Sequence, residues 1–292
     1  MHTKCILTIC ICTYNRINYL KKLLDTIPTN YGKNIEILIV DDGSTDKTKD
    51  LVTKYSKLLN VRYYYQNNLG RGYALNYAIN LALGEYLVIM DSDDYFINNG
   101  LDSIIFNINL LVSKKQKNLH SLLFPTSSTK NFSKLPKNLI SNFLKIRFDY
   151  KIKGDLKEVV QTSLLKKSIK EININFRRFP TLFLWSHIAN YSDCLCINES
   201  IAFKNYLNDG LSKNIYKYKI LNYEPMYKMY KLIYQSKKYD SIIYRIRSKI
   251  LFNRYKLHKY LYFPELKNIP FYLFGILFYF FDKLYLSIND KS

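Results

Sequence analysis

Residues 1–110 alternate two kinds of hydrophobic pattern. Short continuous apolar runs at Ile6–Ile11, Ile35–Val40, Val61–Tyr65 and Tyr86–Met90 are separated by segments whose apolar residues recur every three or four positions. The runs read as buried strands, and the intervening period is that of amphipathic helices. One helix is expected from Asn18, as its cap, through Thr26, stopped by Pro28. Others are expected over Asp46–Leu59, with Leu51, Val52, Tyr55 and Leu59 on one face, and over Ala74–Leu83. This alternation specifies a mostly parallel sheet with right-handed crossovers. Each strand ends in polar residues at its carboxyl edge, where open α/β sheets bind ligands.

The regularity fades near residue 115. From 115 to 150, Lys, Asn and Ser with scattered apolar residues read as long loops or an insertion. Order returns at Gly154–Val160, in a helix near Leu164–Lys170, and in the apolar run Phe183–Ala189. Beyond Ser212 the chain reads as basic helices laced with tyrosine. The apolar stretch Pro270–Phe281 has the length of a core or interfacial helix and is too short to cross a bilayer.

Composition narrows the class. A chain of 292 residues, 48% hydrophobic with only 9 Gly and 7 Pro, is globular and long enough for a large domain with an appendage. The net charge of +21 is uneven: residues 1–110 hold 11 Lys/Arg and 11 Asp/Glu, whereas residues 111–292 hold 33 against 12. An anionic partner would therefore meet the C-terminal half. A Lys-, Asn-, Ile- and Tyr-rich composition also matches an AT-rich genome, which accounts for part of the basicity without any partner. The five cysteines, Cys5, Cys10, Cys12, Cys194 and Cys196, contain no C-x-x-C pair and are expected to be free thiols in a reducing cytoplasm. Met1–Lys4 with Ile6–Ile9 is not expected to be a signal peptide, being short and closely followed by polar Thr13–Arg16.

Four clusters at strand ends carry the chemistry. Asp91-Ser92-Asp93-Asp94 follows the apolar Leu87–Met90; carboxylates one residue apart there can converge on a hard divalent cation, which would neutralise a diphosphate leaving group. Taken alone, such a cluster is usually a solvated turn. In Val40-Asp41-Asp42-Gly43-Ser44-Thr45-Asp46 an acid can accept from a base N–H or a ribose hydroxyl, while Ser44 or Thr45 caps the next helix. Cys12-Thr13-Tyr14-Asn15-Arg16 stands where a dinucleotide-binding enzyme would carry G-x-G-x-x-G; that pattern is absent, and Tyr14 and Arg16 can flank a nucleobase and a phosphate. In Asn67–Asn76 a loop opens into a helix, and its backbone amides with Arg71 suit a diphosphate.

In this order, the four clusters resemble glycosyltransferase family 2 on the GT-A fold. The resemblance is carried by Thr8–Arg16, Ile39–Asp46, Asn68-Leu69-Gly70 with Asn76, and Gly84–Asp94, about a third of the chain. It implies that Thr13, Tyr14 and Arg16 line the nucleotide pocket, that Asp41 and Asp42 belong to it with Asp42 on the base, and that Arg71 lies near the sugar or diphosphate. It further implies Asp91 on the ribose side and Asp93, with Asp94, on Mn2+ or Mg2+. Cys12 departs from the family, which usually has Pro there.

Enzymes of this family are typically inverting, so an acid must deprotonate the acceptor hydroxyl. Similar sequences commonly carry that acid before the Trp of the segment that here reads Arg178–Trp185, and this chain has none there. Asp155 and Glu158, in a Gly-Asp-x-x-Glu pattern, are the candidate bases; His187 reads as a core histidine. Asn205–Ser212 resembles the segment that follows the acceptor site in such enzymes.

The expected architecture is α/β: a GT-A (Rossmann-like) mostly parallel sheet flanked by helices, with a C-terminal helical basic appendage. Its expected domains are 1–205, with a nucleotide-sugar half at 1–110 and an acceptor half at 111–205, followed by 206–292. The expected partners are a nucleotide-diphosphate sugar, with UDP-sugar first, and a saccharide or glycolipid acceptor of a bacterial surface glycan such as capsule or lipo-oligosaccharide. Residues 213–259 hold 13 Lys/Arg and two acids, which suits an anionic membrane surface with the Phe271–Phe281 run in the interface, or equally a solvated helical surface. The expected location is the cytoplasm, with peripheral attachment to the inner membrane face left open. Two other classes stay open: a non-catalytic sugar-nucleotide-binding relative, and a nucleic-acid-binding protein. The second is not expected, because it leaves the four clusters of the charge-neutral N-terminal part unexplained.

Overall fold

The computed structural model describes residues 5–205, 215–259 and 269–289. The chain forms two compact units, one of Met1–Arg178 with Tyr191–Asn205, the other of Phe179–Asn190 with Tyr206–Ser292. The sequence expectation kept 179–190 in the first domain; by contacts this segment groups with the C-terminal helices.

In the first unit β1 (Leu7–Thr13), β2 (Ile35–Asp41), β3 (Val61–Tyr65) and β4 (Tyr86–Asp91) run parallel in the order β3-β2-β1-β4, joined by α1 (Ile17–Asp25), α2 (Thr48–Tyr55) and α3 (Arg71–Leu81). There follow β5 (Tyr95–Phe96), α4 (Gly100–Ser113), β6 (Leu119–Pro125), β7 (Ile140–Asn142), α5 (Phe143–Phe148), β8 (Leu156–Gln161), α6 (Thr162–Glu171), β9 (Asp193–Cys196) and β10 (Ala202–Phe203). The sheet continues β4-β8-β6-β9-β7, with β8 antiparallel to both β4 and β6. β10 pairs antiparallel with β5 in a separate ribbon.

The apolar runs are continuous because the sheet is buried on both faces. Leu7, Ile9 and Ile11 of β1 join Ile37, Val88, Leu122 and Val159 in one core with Leu20 and Leu23 of α1 and Ile104 of α4. The alternate residues Cys10, Leu38 and Leu87 are also buried, on the face that α3 covers with Ala74, Leu75 and Ala78. The five cysteines are free, and Cys10, Cys194 and Cys196 are buried.

The stretch read as loops, 115–150, contains β6, β7 and α5. β6 lies inside the sheet between β8 and β9, and its short apolar run is flanked by Lys- and Asn-rich turns that hide it from periodicity. The helix starts also differ from expectation. Asn18 does not cap α1; Asp46 Oδ2 accepts from Ile17 N at 3.1 Å, while its Oδ1 accepts from Thr48 N at 3.1 Å and so opens α2. Ser44 and Thr45 are engaged with Asn15 instead.

A buried carboxylate ties the amino-terminal ends of three strands together. Glu36 accepts from Thr8 Oγ1 at 2.5 Å, from Leu83 N at 2.9 Å and from Arg62, whose guanidinium also donates to Leu81 O and to the Tyr64 hydroxyl. Thr8 Oγ1 accepts in turn from Gly84 N at 2.9 Å.

The second unit is helical: α7 (Thr181–Ile188), α8 (Ile215–Leu221), α9 (Tyr223–Gln235), α10 (Ile242–Leu257) and α11 (Ile269–Asn289). α9 packs on α7 and α10, and α10 packs on α11. Phe183, Leu184, Trp185 and His187 are all buried, so His187 is a core residue. Of the Asn205–Ser212 segment, 206–212 lies outside the described residues. No described helix is long and apolar enough to cross a membrane. The centre of the unit is polar: Asp282 is fully buried and accepts from Arg254 Nε at 2.8 Å, from His258 Nε2 at 3.0 Å and from the Tyr216 hydroxyl at 2.6 Å. Burial alone would raise this carboxyl; the hydrogen bonds from His258, Arg254 and Tyr216 bring it down to about 2.

Removing one partner of a buried charge pair strands the other, so Asp282→Ala is expected to cost about 3–5 kcal/mol in urea unfolding. Because the folded carboxyl titrates below the unfolded one, its contribution is complete above about pH 4 and is lost as the pH falls toward 2. The stability gap between wild type and Asp282→Asn should therefore close over that range.

Candidate functional site

The strand order reverses between β1 and β4, and there the register sets Thr13 beside Asp41 and Cys12 beside Asp91. Three strand ends thus meet at one point of the carboxyl edge, where a doubly wound sheet opens a crevice. The loops after β1 and β2 are interlocked. Asn15, at φ 50°, accepts through Oδ1 from Thr45 N at 2.7 Å, and its own N donates to Ser44 Oγ at 2.9 Å. Asn in the left-handed region is tolerated because its short polar side chain bonds locally.

Asp41 and Asp42 are both buried, with their oxygens committed to the protein. Asp41 accepts from Ser44 N and from the Tyr63 hydroxyl, each at 2.8 Å. Asp42 accepts from Gln66 Nε2 at 2.7 Å, Leu69 N at 2.9 Å and Gly70 N at 2.9 Å. In the structure the oxygens of Asp42, expected on the base, accept from the loop that leads into α3. That loop is covered in turn by Ile174–Arg177: Gly72 N donates to Arg177 O at 2.9 Å, Arg177 Nη2 to Asn68 Oδ1 at 2.9 Å and Asn76 Nδ2 to Ile174 O at 2.6 Å. Gly70, at φ 104°, is pressed against Arg177, whose backbone and side chain occupy the space a Cβ would need. Only glycine meets both demands.

Tyr14 is 44% exposed, and Thr13 Oγ1 is buried without a hydrogen-bond partner. An orphaned hydroxyl at a strand end is a ready partner for a ligand's polar atom. Around it, four carboxylates meet four cations. Arg71 Nη2 donates to Asp91 Oδ1 at 2.6 Å and Arg16 Nη1 to Asp93 Oδ2 at 3.0 Å. Lys204 Nζ lies 2.8 Å from Asp91, 3.3 Å from Asp94 and 3.8 Å from Asp155. Lys157 Nζ donates to Asp94 Oδ2 at 2.8 Å. Burial would raise the Asp91 carboxyl, but Arg71, Lys204 and Lys157 hold it well below its ordinary value. Asp93 goes the other way: burial, then the Asp91 charge, raise it against the opposing pull of Lys204.

Among the described residues no three His, Cys, Asp or Glu side chains form a metal cluster. The residues nonetheless fit Mn2+ or Mg2+ of the kind held by one or two carboxylates plus substrate phosphates. Asp93 suits this role, since its side chain is 19% exposed and its negative charge is under-compensated. Asp94 does not, because it is fully buried against Lys157 and Lys204.

The two candidate bases separate. Asp155 immediately precedes β8, whose antiparallel course begins at the carboxyl edge of β4, and its side chain is 44% exposed beside Lys204. Glu158 is half-buried in β8, on the face opposite Lys157, and burial pushes its carboxyl up to about 8. Lys157 and Lys204 belong to none of the four strand-end clusters. The signal existed: each is a lysine abutting an apolar run, Leu156 with Val159-Val160 and Ile201-Ala202-Phe203, where a buried ammonium requires a carboxylate.

Comparison with known proteins bears on the fold and on the N-terminal segment. Residues 8–109 match the family model Glycosyl transferase family 2. An uncharacterised glycosyltransferase of Mycoplasma genitalium is 38% identical over 109 residues, 36% of this chain and 37% of that protein. One from Rickettsia felis is 26% identical over 213 residues, 73% of this chain and 33% of that protein. The matches thus span about a third of these relatives' length. Among solved structures, S. aureus TarS 1–349 in complex with UDP-GlcNAc superposes with a TM-score of 0.62 at 18% identity, covering 92% of this chain and 79% of that one. A mannosyltransferase of Pyrobaculum calidifontis in complex with GDP-Man and Mn2+ gives 0.55 at 14%, covering 98% and 88%. At such identities these two show the shared GT-A fold.

Gly70→Ala combines a left-handed φ with a clash against Arg177. It is expected to lower stability by about 1–3 kcal/mol and to loosen the 174–177 cover, read as a lower thermal midpoint and faster amide exchange in α3.

Proposed function

We propose that this chain, whose residues 8–109 match the Glycosyl transferase family 2 model, transfers a sugar from a nucleotide-diphosphate donor to a hydroxyl of a saccharide or glycolipid acceptor, with inversion. The observation that carries the reading is the convergence of Thr13, Tyr14, Arg16, Arg71, Asp91 and Asp93 at the β1/β4 switch point. Thr13 and Tyr14 would meet the nucleoside and Asp91 its ribose, while Asp41 and Asp42 shape the pocket wall. Arg71 and Arg16, each paired with an acid in the free protein, would turn to the diphosphate. Asp93 would hold Mn2+ or Mg2+, which supplies neutralisation of the departing diphosphate. A UDP-sugar is proposed first, since TarS is described with UDP-GlcNAc. The acceptor is proposed to belong to a bacterial surface glycan such as capsule or lipo-oligosaccharide, reached from the cytoplasmic side with the chain peripheral to the membrane.

In the reaction the acceptor oxygen attacks the anomeric carbon as the bond to the diphosphate oxygen breaks, and the leaving group takes the bonding electrons. The hydroxyl proton must pass to a base on the opposite face of the sugar. Asp155 is the proposed base, because it stands at the carboxyl edge beside Lys204, which also contacts Asp91 and Asp94. The absence of an acid before Trp185 favours the second reading, a sugar-nucleotide-binding relative without turnover.

Thermal stabilisation by UDP, GDP and TDP, each with Mn2+ or with EDTA, tests the donor site. One nucleotide should stabilise the wild type in a metal-dependent way, and Asp93→Ala should lose that dependence and about 10²–10³-fold in turnover. No response from any nucleotide in folded protein would sink the reading and bring forward nucleic-acid binding. Nucleotide binding without turnover would select the non-catalytic reading.

Asp155→Asn should lower turnover by about 10²–10⁴-fold with nucleotide binding retained, and Glu158→Gln should change it little. Were Glu158 the base, its elevated carboxyl would need to lose a proton first, and turnover would climb with pH through about 8.

A further inference from the structure

α11 has the reverse polarity of a helix that packs on a water-soluble core. Its face toward α10 carries Gly275 and, two turns on, Asp282. A Cβ on Gly275 would meet Asn253 Cβ at 2.7 Å and Arg254 N at 3.0 Å, so the two backbones approach closely there. Asp282 then locks the helix through Arg254, His258 and Tyr216. The outward face carries Leu273, Phe274, Leu277, Phe280, Phe281 and Leu284, each between 51% and 64% exposed. At the start of α10, Ile242 and Ile243 are 73% and 76% exposed. Farther along α10, Lys249 Nζ lies 4.4 Å from the Phe271 ring centroid, bringing the two helices together near the start of α11. Apolar patches of this kind on a soluble surface mark something that covers them.

The surrounding charge indicates the occupant. Residues 213–259 hold 13 Lys/Arg against two acids, so a second copy would bring like charge to the contact, whereas anionic lipid headgroups are complementary. We propose that α11 with the first turns of α10 is a docking face for an anionic lipid bilayer. The helix lies in the headgroup plane with its Leu and Phe side chains in the acyl boundary, and Lys249 and Lys283 reach up to the phosphates. The buried Asp282 network holds α11 on its unit without drawing on the apolar face, which is left for the lipid. The proposal deepens the reading of a glycolipid acceptor and names the surface that meets its membrane.

The test is co-sedimentation of the full chain with phosphatidylcholine vesicles, with and without phosphatidylglycerol. Binding should be at least about tenfold tighter with phosphatidylglycerol and weaken as salt rises. Leu277→Glu with Phe281→Glu should abolish it while leaving the thermal midpoint and nucleotide-induced stabilisation unchanged, since both side chains face solvent. Asp93→Ala should bind vesicles as the wild type does, which separates failure of the surface from failure of the donor site. Absence of binding to phosphatidylglycerol vesicles, or binding indifferent to the double substitution, would overturn the proposal. So would a dimer that the double substitution dissociates in sedimentation while vesicles are ignored, for then a second copy is the occupant.

Discussion

Like charges crowded at one sheet edge are the constraint on which the site depends. Asp91, Asp93 and Asp94 leave the end of β4 within four residues, and Asp155 joins them from the start of β8. Such a cluster opposes folding unless cations reach it, and none of those that reach Asp91, Asp93 or Asp94 is a sequence neighbour of the acid it pairs with. Arg16 follows β1, Arg71 begins α3, Lys157 lies in β8 and Lys204 follows β10. The ion pairs thus bring together four separate elements of the first unit, so its topology and its candidate chemistry are one arrangement. A ligand that arrives with its own phosphates and cation would exchange partners inside this set and would not meet a bare anionic pocket.

How much of this was legible in the chain follows from the range of each interaction. The four parallel strands were readable because burial on both faces leaves a local, continuous apolar signature in Ile35–Asp41 or Tyr86–Asp91. Asp91 and Asp93 were readable because strand termination is local too. β6 and α5 were not: a seven-residue strand and a six-residue helix give too few repeats for a period to emerge. The pairing of Lys204 with Asp91 spans 113 residues, and its sole local trace is a lysine where an apolar run ends. The inward turn of Asp41 and Asp42 was hidden for another reason. A motif names the residue, while whether its oxygens face the ligand or the adjoining loop depends on backbone amides such as Leu69 N and Gly70 N.

The second unit solves a different problem. Its helices carry many aromatic and basic residues, and its centre is organised by a carboxylate and its donors rather than by apolar side chains alone. Directional bonds specify one seating of α11 on α10, whereas greasy contact would accept several. Around that centre, rings pack edge to face or stacked, as in Tyr216 with Tyr285 and Tyr230 with Tyr255. Tyrosine can supply both ring packing and a hydroxyl, which suits a unit that buries a carboxylate network beside apolar side chains.

At the far end of the sheet from the carboxyl edge, Glu36 satisfies Thr8, Arg62 and Leu83 at once and sits where water does not reach. Its consequence is evolutionary. Losing Glu36 alone would leave Arg62 without its counter-charge and Leu83 N without an acceptor, and losing Arg62 alone would leave a buried carboxylate under-neutralised. Neither position can drift by single steps without a penalty, so among relatives the two should change as a pair, acid with base or both replaced by apolar residues. Positions 36 and 62 would then form a covarying couple that records the strand order β1-β2-β3 far from any substrate.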